Sequence, residues 1–386
     1  MTAAPTKVAV LVDRLGEGGA QRSAILVATQ LHELGFGTHV LCARSGTYAS
    51  ELPQELPVHV LAPRWPSASG VVRFVINLCV ASRRHDIQVI VVGGFTVARL
   101  ALLLRAISPI GLPSRVRVVV VEHNTASSTL RDRFPHPVSR RVILRLTRWL
   151  YQHADALVAV SDGASRDLER TLALPPGSVT TIFNPVDTGR IRRSITDTIS
   201  MDLEQTFQSL PRPMVITTGR LVAQKAHDDL IMAFSRLPGP LLGSLVVLGE
   251  GPLRSELEEC AERMGIRGRV WMPGFVDNPW WFIARADVFA LSSRWEGFGM
   301  VLAEALACGV SVVSTDCPSG PREILESVPV ARLVPMNDPT ALTAALTESL
   351  GSKHQGTVAT GLERFQPPVV ARQYAALISS VLEQEP

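Results

Sequence analysis

Short apolar runs rich in β-branched residues alternate with helix-like segments along the chain, and this alternation restricts the possible folds more than any other feature. In the first half the runs are KVAVLV at 7–12, VIVV at 89–92, VRVVVVE at 116–122 and ALVAV at 156–160. Strands that are apolar on both faces must be covered on both sides, and intervening helices require parallel pairing. The pattern therefore predicts a doubly wound parallel α/β sheet.

A second series of the same kind follows after a break. Its runs are MVITTG at 214–219, SLVVLG at 244–249, RVWMPG at 269–274, DVFAL at 287–291 and VSVVST at 310–315. Helices are predicted near 226–237, 252–265, 299–308 and 369–384. This second series predicts a second, separate sheet.

The stretch between Asp187 and Pro213 has no sustained apolar period and is predicted to be a linker. A chain of 386 residues also exceeds what one hydrophobic core usually organises. We expect an N-terminal domain at 1–187, a linker at 188–212, a second domain at 213–368, and a C-terminal helix at 369–386 that crosses back to the first domain.

Charge and cysteine content exclude several classes of function. The formal net charge is only +3, and no basic run is interleaved with aromatic residues, so nucleic acid is not an expected partner. The five cysteines include no C-x-x-C spacing, which indicates neither a disulfide framework nor a thiolate zinc site. Because no uninterrupted apolar run reaches about 18 residues, no membrane span is predicted. We expect a cytoplasmic protein.

A glycine-rich turn follows the first strand. In DRLGEGGAQRSA, Gly16, Gly18 and Gly19 lead into a helix predicted to start near Ala20. Backbone amides at such a helix N-terminus can hold a phosphate or diphosphate, although a tight turn without a ligand explains the same glycines. Gln21 stands where the dinucleotide fingerprint has glycine, which argues against a nicotinamide cofactor.

Two cations follow the first strand of the second series. Arg220 and Lys225 in TTGRLVAQK lie just past the carboxyl end of that strand, where they can neutralise a diphosphate leaving group. A solvated surface pair is the alternative interpretation. Lys225 is one of only three lysines, with Lys7 and Lys353.

Two glutamates flank the predicted start of a helix in RWEGFGMVLAEALACG. Glu296 lies in the loop and Glu304 about a turn inside a helix that starts near Gly299. Ionised carboxylates accept hydrogen bonds from paired hydroxyls, and the helix N-terminus between them suits a diphosphate. The alternative is one helix-capping acid and one solvated acid.

These motifs and several others, in the same order along nearly the whole chain, make the sequence similar to retaining glycosyltransferases of family 4. The shared segments are GGAQR at 18–22, EHN at 122–124, AVSDG at 159–163, FNPVD at 183–187, TTGRLVAQK at 217–225, LGEGP at 248–252 and WEGFGMVLAEALACG at 295–309. The resemblance implies a GT-B fold, in which two Rossmann-like domains face each other across a cleft. It also implies sugar transfer from a nucleotide diphosphate sugar with retained anomeric configuration.

The resemblance further implies roles for particular residues. Glu304 would bind the donor ribose and Glu296 the hydroxyls of the transferred sugar, while His123 would lie near that sugar and the acceptor. The residues implied in catalysis are Glu296, His123, Arg220 and Lys225. Those implied in donor binding are Gly18, Gly19, Arg220, Lys225, Glu296, Phe298, Gly299, Met300 and Glu304.

No D-x-D spacing occurs in the sequence, so the usual Mg²⁺ or Mn²⁺ bridge to a sugar diphosphate has no evident ligand pair. We therefore expect a metal-independent reaction without a cofactor, in which Arg220, Lys225 and helix amides meet the leaving-group charge. No carboxylate nucleophile is evident, which favours same-face substitution through an ion-pair-like intermediate.

An arginine-rich segment, RDRFPHPVSRRVILRLTRWLYQ, predicts an amphipathic helix. From residue 140 onward the arginines share one side and Val142, Ile143, Leu146, Trp149 and Leu150 occupy much of the other. Such a helix can lie on an anionic membrane, but a solvated face over a buried stripe is an equal alternative. The membrane-contact candidates are Arg140, Arg141, Arg145 and Arg148.

From this resemblance we expect a retaining glycosyltransferase that moves a hexose or N-acetylhexosamine from a UDP-linked donor to a glycan or polyprenyl-linked acceptor. It would act in bacterial glycan assembly, peripherally on the inner face of the membrane. A GT-B nucleotide-sugar epimerase, a nicotinamide-dependent oxidoreductase and a non-catalytic sugar-nucleotide sensor are the alternatives.

Overall fold

The computed structural model describes residues 5–16, 18–108, 111–352 and 361–384. The chain forms two compact units, one of Met1–Pro185 with Phe365–Pro386 and the other of Val186–Arg364. Each unit is a parallel sheet with helices.

The first unit contains seven strands and seven helices among its described residues. The strands are β1 (Lys7–Arg14), β2 (Gly37–Arg44), β3 (Val58–Val60), β4 (Val89–Gly93), β5 (Arg117–Glu122), β6 (Ala156–Ala159) and β7 (Val179–Thr181). The helices are α1 (Gly19–Glu33), α2 (Ala68–Arg84), α3 (Phe95–Ala106), α4 (Ala126–Arg133), α5 (Pro137–Tyr151) and α6 (Asp162–Leu172), with α15 (Pro367–Glu383) from the end of the chain.

The second unit contains six strands and eight helices in the part that the structure describes. The strands are β8 (Met214–Thr218), β9 (Ser244–Leu248), β10 (Val270–Gly274), β11 (Val288–Leu291), β12 (Ser311–Thr315) and β13 (Ala331–Val334). The helices are α7 (Thr188–Ser194), α8 (Met201–Ser209), α9 (His227–Ser235), α10 (Arg254–Arg263), α11 (Pro279–Ile283), α12 (Met300–Ala307), α13 (Pro321–Leu325) and α14 (Pro339–Gly351).

The two sheets have the same winding. The first runs β3-β2-β1-β4-β5-β6-β7 and the second β10-β9-β8-β11-β12-β13, with every pairing parallel. This confirms the predicted α/β class. The strand order reverses between β1 and β4 in the first sheet and between β8 and β11 in the second. At such a switch point the loops diverge and leave a crevice at the carboxyl ends of the strands.

The cores explain why the strands read as continuous apolar runs. In the first unit, Leu11 and Val92 of the sheet are buried against Phe74 of α2. In the second, Val215 and Val247 are buried with Phe234 of α9. Helices cover both faces of a parallel sheet, and successive residues of a strand point to opposite faces. Both sets of residues in a central strand are therefore apolar, which gives a continuous apolar run.

Most of the segment predicted to be a linker, 188–212, is helical in the structure, because it contains α7 and α8. The Asp187 carboxylate caps α7 by accepting a 2.8 Å hydrogen bond from the Arg190 amide. On α8, Phe207 is 1% exposed and packs edge-on against Trp281 and Phe282. One buried aromatic anchors α8, so no repeating apolar period is needed.

The C-terminal segment also differs in its bounds from the expected 369–386. The helix α15 begins at Pro367, and the segment from Phe365 onward belongs to the unit that contains the N-terminus. Its helix packs on α1.

The amphipathic helix α5 differs from the simple helical projection. It begins at Pro137, and its buried residues are Thr147, Leu150 and Tyr151. Val142, Leu146 and Trp149 are instead 58%, 47% and 45% exposed. Most of the apolar stripe therefore faces outward, because α5 packs mainly on α3, through the side that carries Thr147.

Among the described residues, the structure contains no helix with the length and apolar character needed to cross a bilayer.

Candidate active site

The switch point of the second sheet brings two loops together. One follows β8 and contains the 3₁₀ turn Ala223–Lys225, and the other follows β11 and contains Glu296. Since β8 and β11 are neighbours and parallel, both loops leave the same edge of the sheet. The sequence-predicted residues Lys225 and Glu296 meet there.

Lys225 and Glu296 form a close ion pair. The Lys225 Nζ atom donates to Glu296 Oε1 at 2.5 Å, and the two side chains are only 14% and 7% exposed. The Ser293 hydroxyl donates to the same carboxylate oxygen at 2.7 Å. A carboxylate with both partners on one oxygen keeps the other oxygen available for further donors, such as sugar hydroxyls.

The loop that carries Glu296 is held by hydrogen bonds to its backbone. Thr315 Oγ1 donates to the Ser293 carbonyl at 2.6 Å, Ser319 Oγ to the Glu296 carbonyl at 2.5 Å, and Gln224 Nε2 to the Trp295 carbonyl at 2.8 Å. These donors come from the end of β12, from the loop that follows it and from the loop after β8. The carboxylate is therefore fixed before any ligand binds, which is what a preorganised site requires.

Two glycines allow the chain to turn into α12. Gly299, the N-cap, has φ of 86°, in the left-handed region that favours glycine. A Cβ on Gly320 would lie 2.0 Å from the Phe298 carbonyl oxygen, so only glycine lets the two loops approach this closely. Phe298 and Met300 are buried at this turn.

Glu304 lies inside α12, as the sequence predicts, and is 6% exposed. Glu296 is equally buried but lies in the preceding loop. The N-terminus of α12 lies between them, where backbone amides and the helix dipole favour an anion. This arrangement can bind a ligand that carries hydroxyls on both sides of a diphosphate.

Arg220 differs from Lys225 in its surroundings. It lies two residues past the end of β8 and is exposed. A buried neighbour that the sequence analysis missed is His227, at the start of α9. Burial, assisted by the charge of Lys225, lowers the pKa of His227 to about 4, so this imidazole is neutral at pH 7.

In the first unit the glycine-rich turn leads into α1 as predicted. Gly18 is the N-cap with φ of 136°, and Gly19 is the first helical residue. One turn further, Ser23 donates to the Asn184 side-chain oxygen at 2.7 Å, and both residues are buried. Asn184, from FNPVD, thus connects α1 to the segment after β7.

His123 lies at the carboxyl end of β5, beside the switch point of the first sheet. A Cβ on Gly93 would lie 2.8 Å from His123 Nε2, so glycine makes room for this imidazole. Burial lowers the pKa of His123 to about 4, opposed by a hydrogen bond with Asn184. Its buried Nδ1 atom has no hydrogen-bond partner among the described residues.

Glu122, the residue before His123, is tied to the core of the unit. It accepts a hydrogen bond from the Tyr151 hydroxyl, and burial raises the pKa of its carboxyl group despite the nearby Arg99. Glu122 and His123 thus differ in their hydrogen bonding. The Glu122 carboxylate is bonded to Tyr151, whereas the Nδ1 atom of His123 has no partner among the described residues.

Serines and threonines around Glu296 were missed by the sequence analysis. Ser293, Thr315 and Ser319 give no signal in sequence beyond their position at or just after the ends of β11 and β12. The carboxyl ends of parallel strands lie at the same edge of a sheet, and ligands bind there. This rule is the one sequence signal that identifies these three residues as site candidates.

Comparison with known families supports a function for this site. Residues 17–190 match the family "Glycosyltransferase Family 4", and residues 202–355 match "Glycosyl transferases group 1". Together the two matches span most of the chain.

Named relatives and solved structures extend these matches. The N-acetylgalactosamine-N,N'-diacetylbacillosaminyl-diphospho-undecaprenol 4-alpha-N-acetylgalactosaminyltransferase of Campylobacter jejuni is 28% identical over 383 residues, which is 95% of this chain and 97% of the relative. The GDP-mannose-dependent alpha-(1-6)-phosphatidylinositol monomannoside mannosyltransferase of Mycolicibacterium smegmatis is 28% identical over 78% of this chain and 83% of its own length. The crystal structure of Anabaena HepE with UDP and glucose superposes with a TM-score of 0.79, at 21% identity, over 97% of this chain and 100% of HepE.

The fold and these matches define a glycosyltransferase with the GT-B architecture. Within that class, the two family matches and the order of the motifs support a family 4-like enzyme. The epimerase, oxidoreductase and sensor alternatives are therefore set aside.

Proposed function

We propose that this glycosyltransferase transfers a hexose or N-acetylhexosamine from a UDP-linked donor with retention of anomeric configuration. The observation that carries the proposal is the cluster of Lys225, Glu296 and Ser293 beside the N-terminus of α12. It combines a cation for a leaving diphosphate, a carboxylate for sugar hydroxyls and a helix N-terminus for phosphate oxygens.

In the proposed reaction, the bond between the anomeric carbon and the diphosphate oxygen breaks, and an acceptor oxygen bonds to the same face of that carbon. The acceptor proton passes to the departing phosphate oxygen. Charge grows on the diphosphate as the bond lengthens, so Lys225, Arg220 and the amides of α12 stabilise the transition state more than the ground state. No metal ion is assigned to this step.

The roles of the first unit remain predictions. Gly18 and Gly19 would approach the donor diphosphate, because amides at the start of α1 are available to an anion. His123 would act near the transferred sugar and acceptor as a neutral hydrogen-bonding group. Its low pKa and its unpartnered Nδ1 atom support this role.

The names of similar proteins support the proposed donor and acceptor. Solved HepE structures contain UDP or UDP-glucose, and the name of the Campylobacter jejuni relative specifies a diphospho-undecaprenol acceptor. We therefore propose a glycan or polyprenyl-diphosphate-linked acceptor in bacterial glycoconjugate assembly.

Thermal shift with UDP, GDP, ADP and dTDP sugars tests the donor. A UDP-sugar should stabilise the protein most, by about 2.7 kcal/mol at a concentration one hundred times its Kd. The NMR coupling constant of the product from the stabilising donor then reports the anomeric configuration. Stabilisation by another nucleotide alone, or an inverted product, would contradict the proposal.

We also propose that α5 contacts an anionic bilayer. Its exposed side combines Val142, Leu146 and Trp149 with the predicted arginines, and Arg141, Arg145 and Arg148 are all exposed. An outward apolar stripe flanked by cations matches an anionic lipid surface in both polarity and charge. This contact would bring the enzyme to a lipid-linked acceptor.

Vesicle sedimentation tests this contact. Changing Arg140, Arg141, Arg145 and Arg148 together to Gln should reduce binding to phosphatidylglycerol vesicles by at least about tenfold, since each basic residue contributes about 1 kcal/mol near such a surface. Transfer to a soluble acceptor analogue should be unaffected.

The matched control removes the same charge from other exposed helix surfaces. Its substitutions are Arg166→Gln, Arg170→Gln, Arg192→Gln and Arg193→Gln. Equal loss of vesicle binding by both quadruple variants would show that only net charge matters and would reject α5 as the contact.

A further inference from the structure

Three histidines converge at the edge of the first sheet, apart from the site described above. His39 lies on β2, His59 on β3, and His85 is the C-cap of α2. One ring nitrogen from each lies within 4.8 Å of those of the other two. The ring centroids are 4.5 to 5.4 Å apart, so the three imidazoles form one cluster.

The local sequence explains this convergence. Residues 39, 41 and 43 of β2 alternate onto one face, and Leu41 and Ala43 are buried there against the core that α2 contributes to. His59 pairs with Leu41 in the parallel register of β2 and β3. Because α2 ends as it returns toward the amino end of β4, its C-cap histidine reaches the same corner.

The geometry suits a tetrahedral metal ion. Metal–nitrogen bonds of 2.0–2.1 Å place neighbouring ligand nitrogens about 3.4 Å apart. The Nδ1 atom of His39 and the Nε2 atom of His59 are already 3.1 Å apart. The ligand nitrogen of His85 lies within 4.8 Å of those two atoms, so it must move closer to reach the same spacing.

The protonation state is also favourable. Burial, with the neighbouring His85 and His59, lowers the pKa of His39 to about 4, and burial lowers the pKa of His59 below its usual value. Neutral imidazoles keep a nitrogen lone pair for a metal. Nearby Lys7 and Arg84 oppose a dication, so the affinity should lie below that of thiolate zinc sites.

We propose that His39, His59 and His85 form a binding site for one divalent transition-metal ion of the Zn²⁺ type, with solvent as the fourth ligand. Imidazole is a preferred ligand of such ions, and three histidines leave one position open. The ion would link β2, the edge strand β3 and the end of α2. The cluster lies toward the amino ends of the strands, whereas the donor residues lie at carboxyl ends, so the expected effect of the ion is stabilisation of the first unit.

Titration of the EDTA-dialysed full-length protein with ZnCl₂ and CoCl₂ tests the site. Calorimetry should show one equivalent of Zn²⁺ bound, and bound Co²⁺ should show the intense visible absorption of tetrahedral coordination. Zn²⁺ should also raise the Tm, because a ligand that binds the native state stabilises it. Absence of saturable binding at millimolar metal would overturn the proposal.

Single substitutions separate this cluster from other histidines. His59→Asn and His85→Asn should each raise the Kd for Zn²⁺ by more than about tenfold, the usual cost of losing even a group that only orients a ligand. His136→Asn, at the N-cap of α5, is the matched control and should leave the Kd unchanged. Circular dichroism of the metal-free variants verifies their folding. Unchanged Zn²⁺ binding in a folded His59→Asn or His85→Asn protein would contradict the assignment.

Discussion

Glu296→Gln is expected to lower kcat by two or more powers of ten while leaving the affinity for free UDP nearly unchanged. The carboxylate is fixed by Lys225 and Ser293, and we propose that it orients the transferred sugar as positive charge develops at the anomeric carbon. A glutamine keeps the shape but removes the charge, and each power of ten corresponds to about 1.4 kcal/mol.

Glu304→Gln is the matched comparison because Glu304 has the same 6% exposure as Glu296. Its proposed partner is the donor ribose, whose hydroxyls do not change during the reaction. This variant should raise the donor KM and weaken the binding of free UDP, with a smaller effect on kcat.

Steady-state kinetics and calorimetry with UDP on both variants decide between the two roles. If Glu296→Gln weakens the binding of UDP as much as Glu304→Gln does, the roles assigned to the two glutamates are wrong. Both variants should remain folded, because a near-isosteric amide opens no cavity. Glu296→Gln should nevertheless lower the Tm, since it leaves the nearly buried Lys225 ammonium without its carboxylate partner.

The central strands were predictable from sequence because burial on both faces requires continuous apolar runs. Strands β3, β7 and β13 were not predicted, and all three are edge strands of three or four residues. Their burial is partial, as in β3 where Val58 and Val60 are exposed. An edge strand has one neighbour and less cover, so its sequence carries less of the pattern.

The helix α5 shows a different limit. Its period of 3.6 residues correctly indicates a helix with distinct faces, but periodicity does not determine which face meets the core. Trp149 is 45% exposed although it lies in the apolar stripe, and Thr147 is buried. Thr147 accepts a hydrogen bond from Arg99 Nε at 3.1 Å, a tertiary contact with α3 that no local pattern contains.

For the site, residue types were predictable and pairings were not. The spacing of Glu296 and Glu304 around a helix start follows from local sequence, whereas the ion pair of Glu296 with Lys225 joins residues 71 positions apart. The supporting hydroxyls of Ser293 and Ser319 act on Glu296 through positions set by the sheet. Only the parallel order of β8, β11 and β12 brings them together.

Lys225→Met is expected to lower kcat by two to three powers of ten, and to lower donor affinity much less. Methionine keeps the apolar stem but removes the ammonium group that we propose neutralises the leaving diphosphate. That contribution grows toward the transition state. Its loss should therefore raise the activation free energy by about 3–4 kcal/mol and lower kcat more than donor affinity. Arg220→Gln should also lower kcat, but by less, because Arg220 is exposed and its charge is screened by solvent.

Lys225→Met has a second effect that must be separated from the first, because it leaves the nearly buried Glu296 carboxylate without its cation. Removing one partner of a buried pair destabilises the fold, whereas removing both charges is far less costly. The double variant Lys225→Met/Glu296→Gln should therefore recover most of the Tm that the single Lys225→Met variant loses. Its kcat should nevertheless fall at least about tenfold below that of Glu296→Gln alone, since the diphosphate still lacks the Lys225 charge. If the double variant instead turns over as fast as Glu296→Gln, then Lys225 acts only by holding Glu296 in place, and its proposed role at the leaving group must be abandoned.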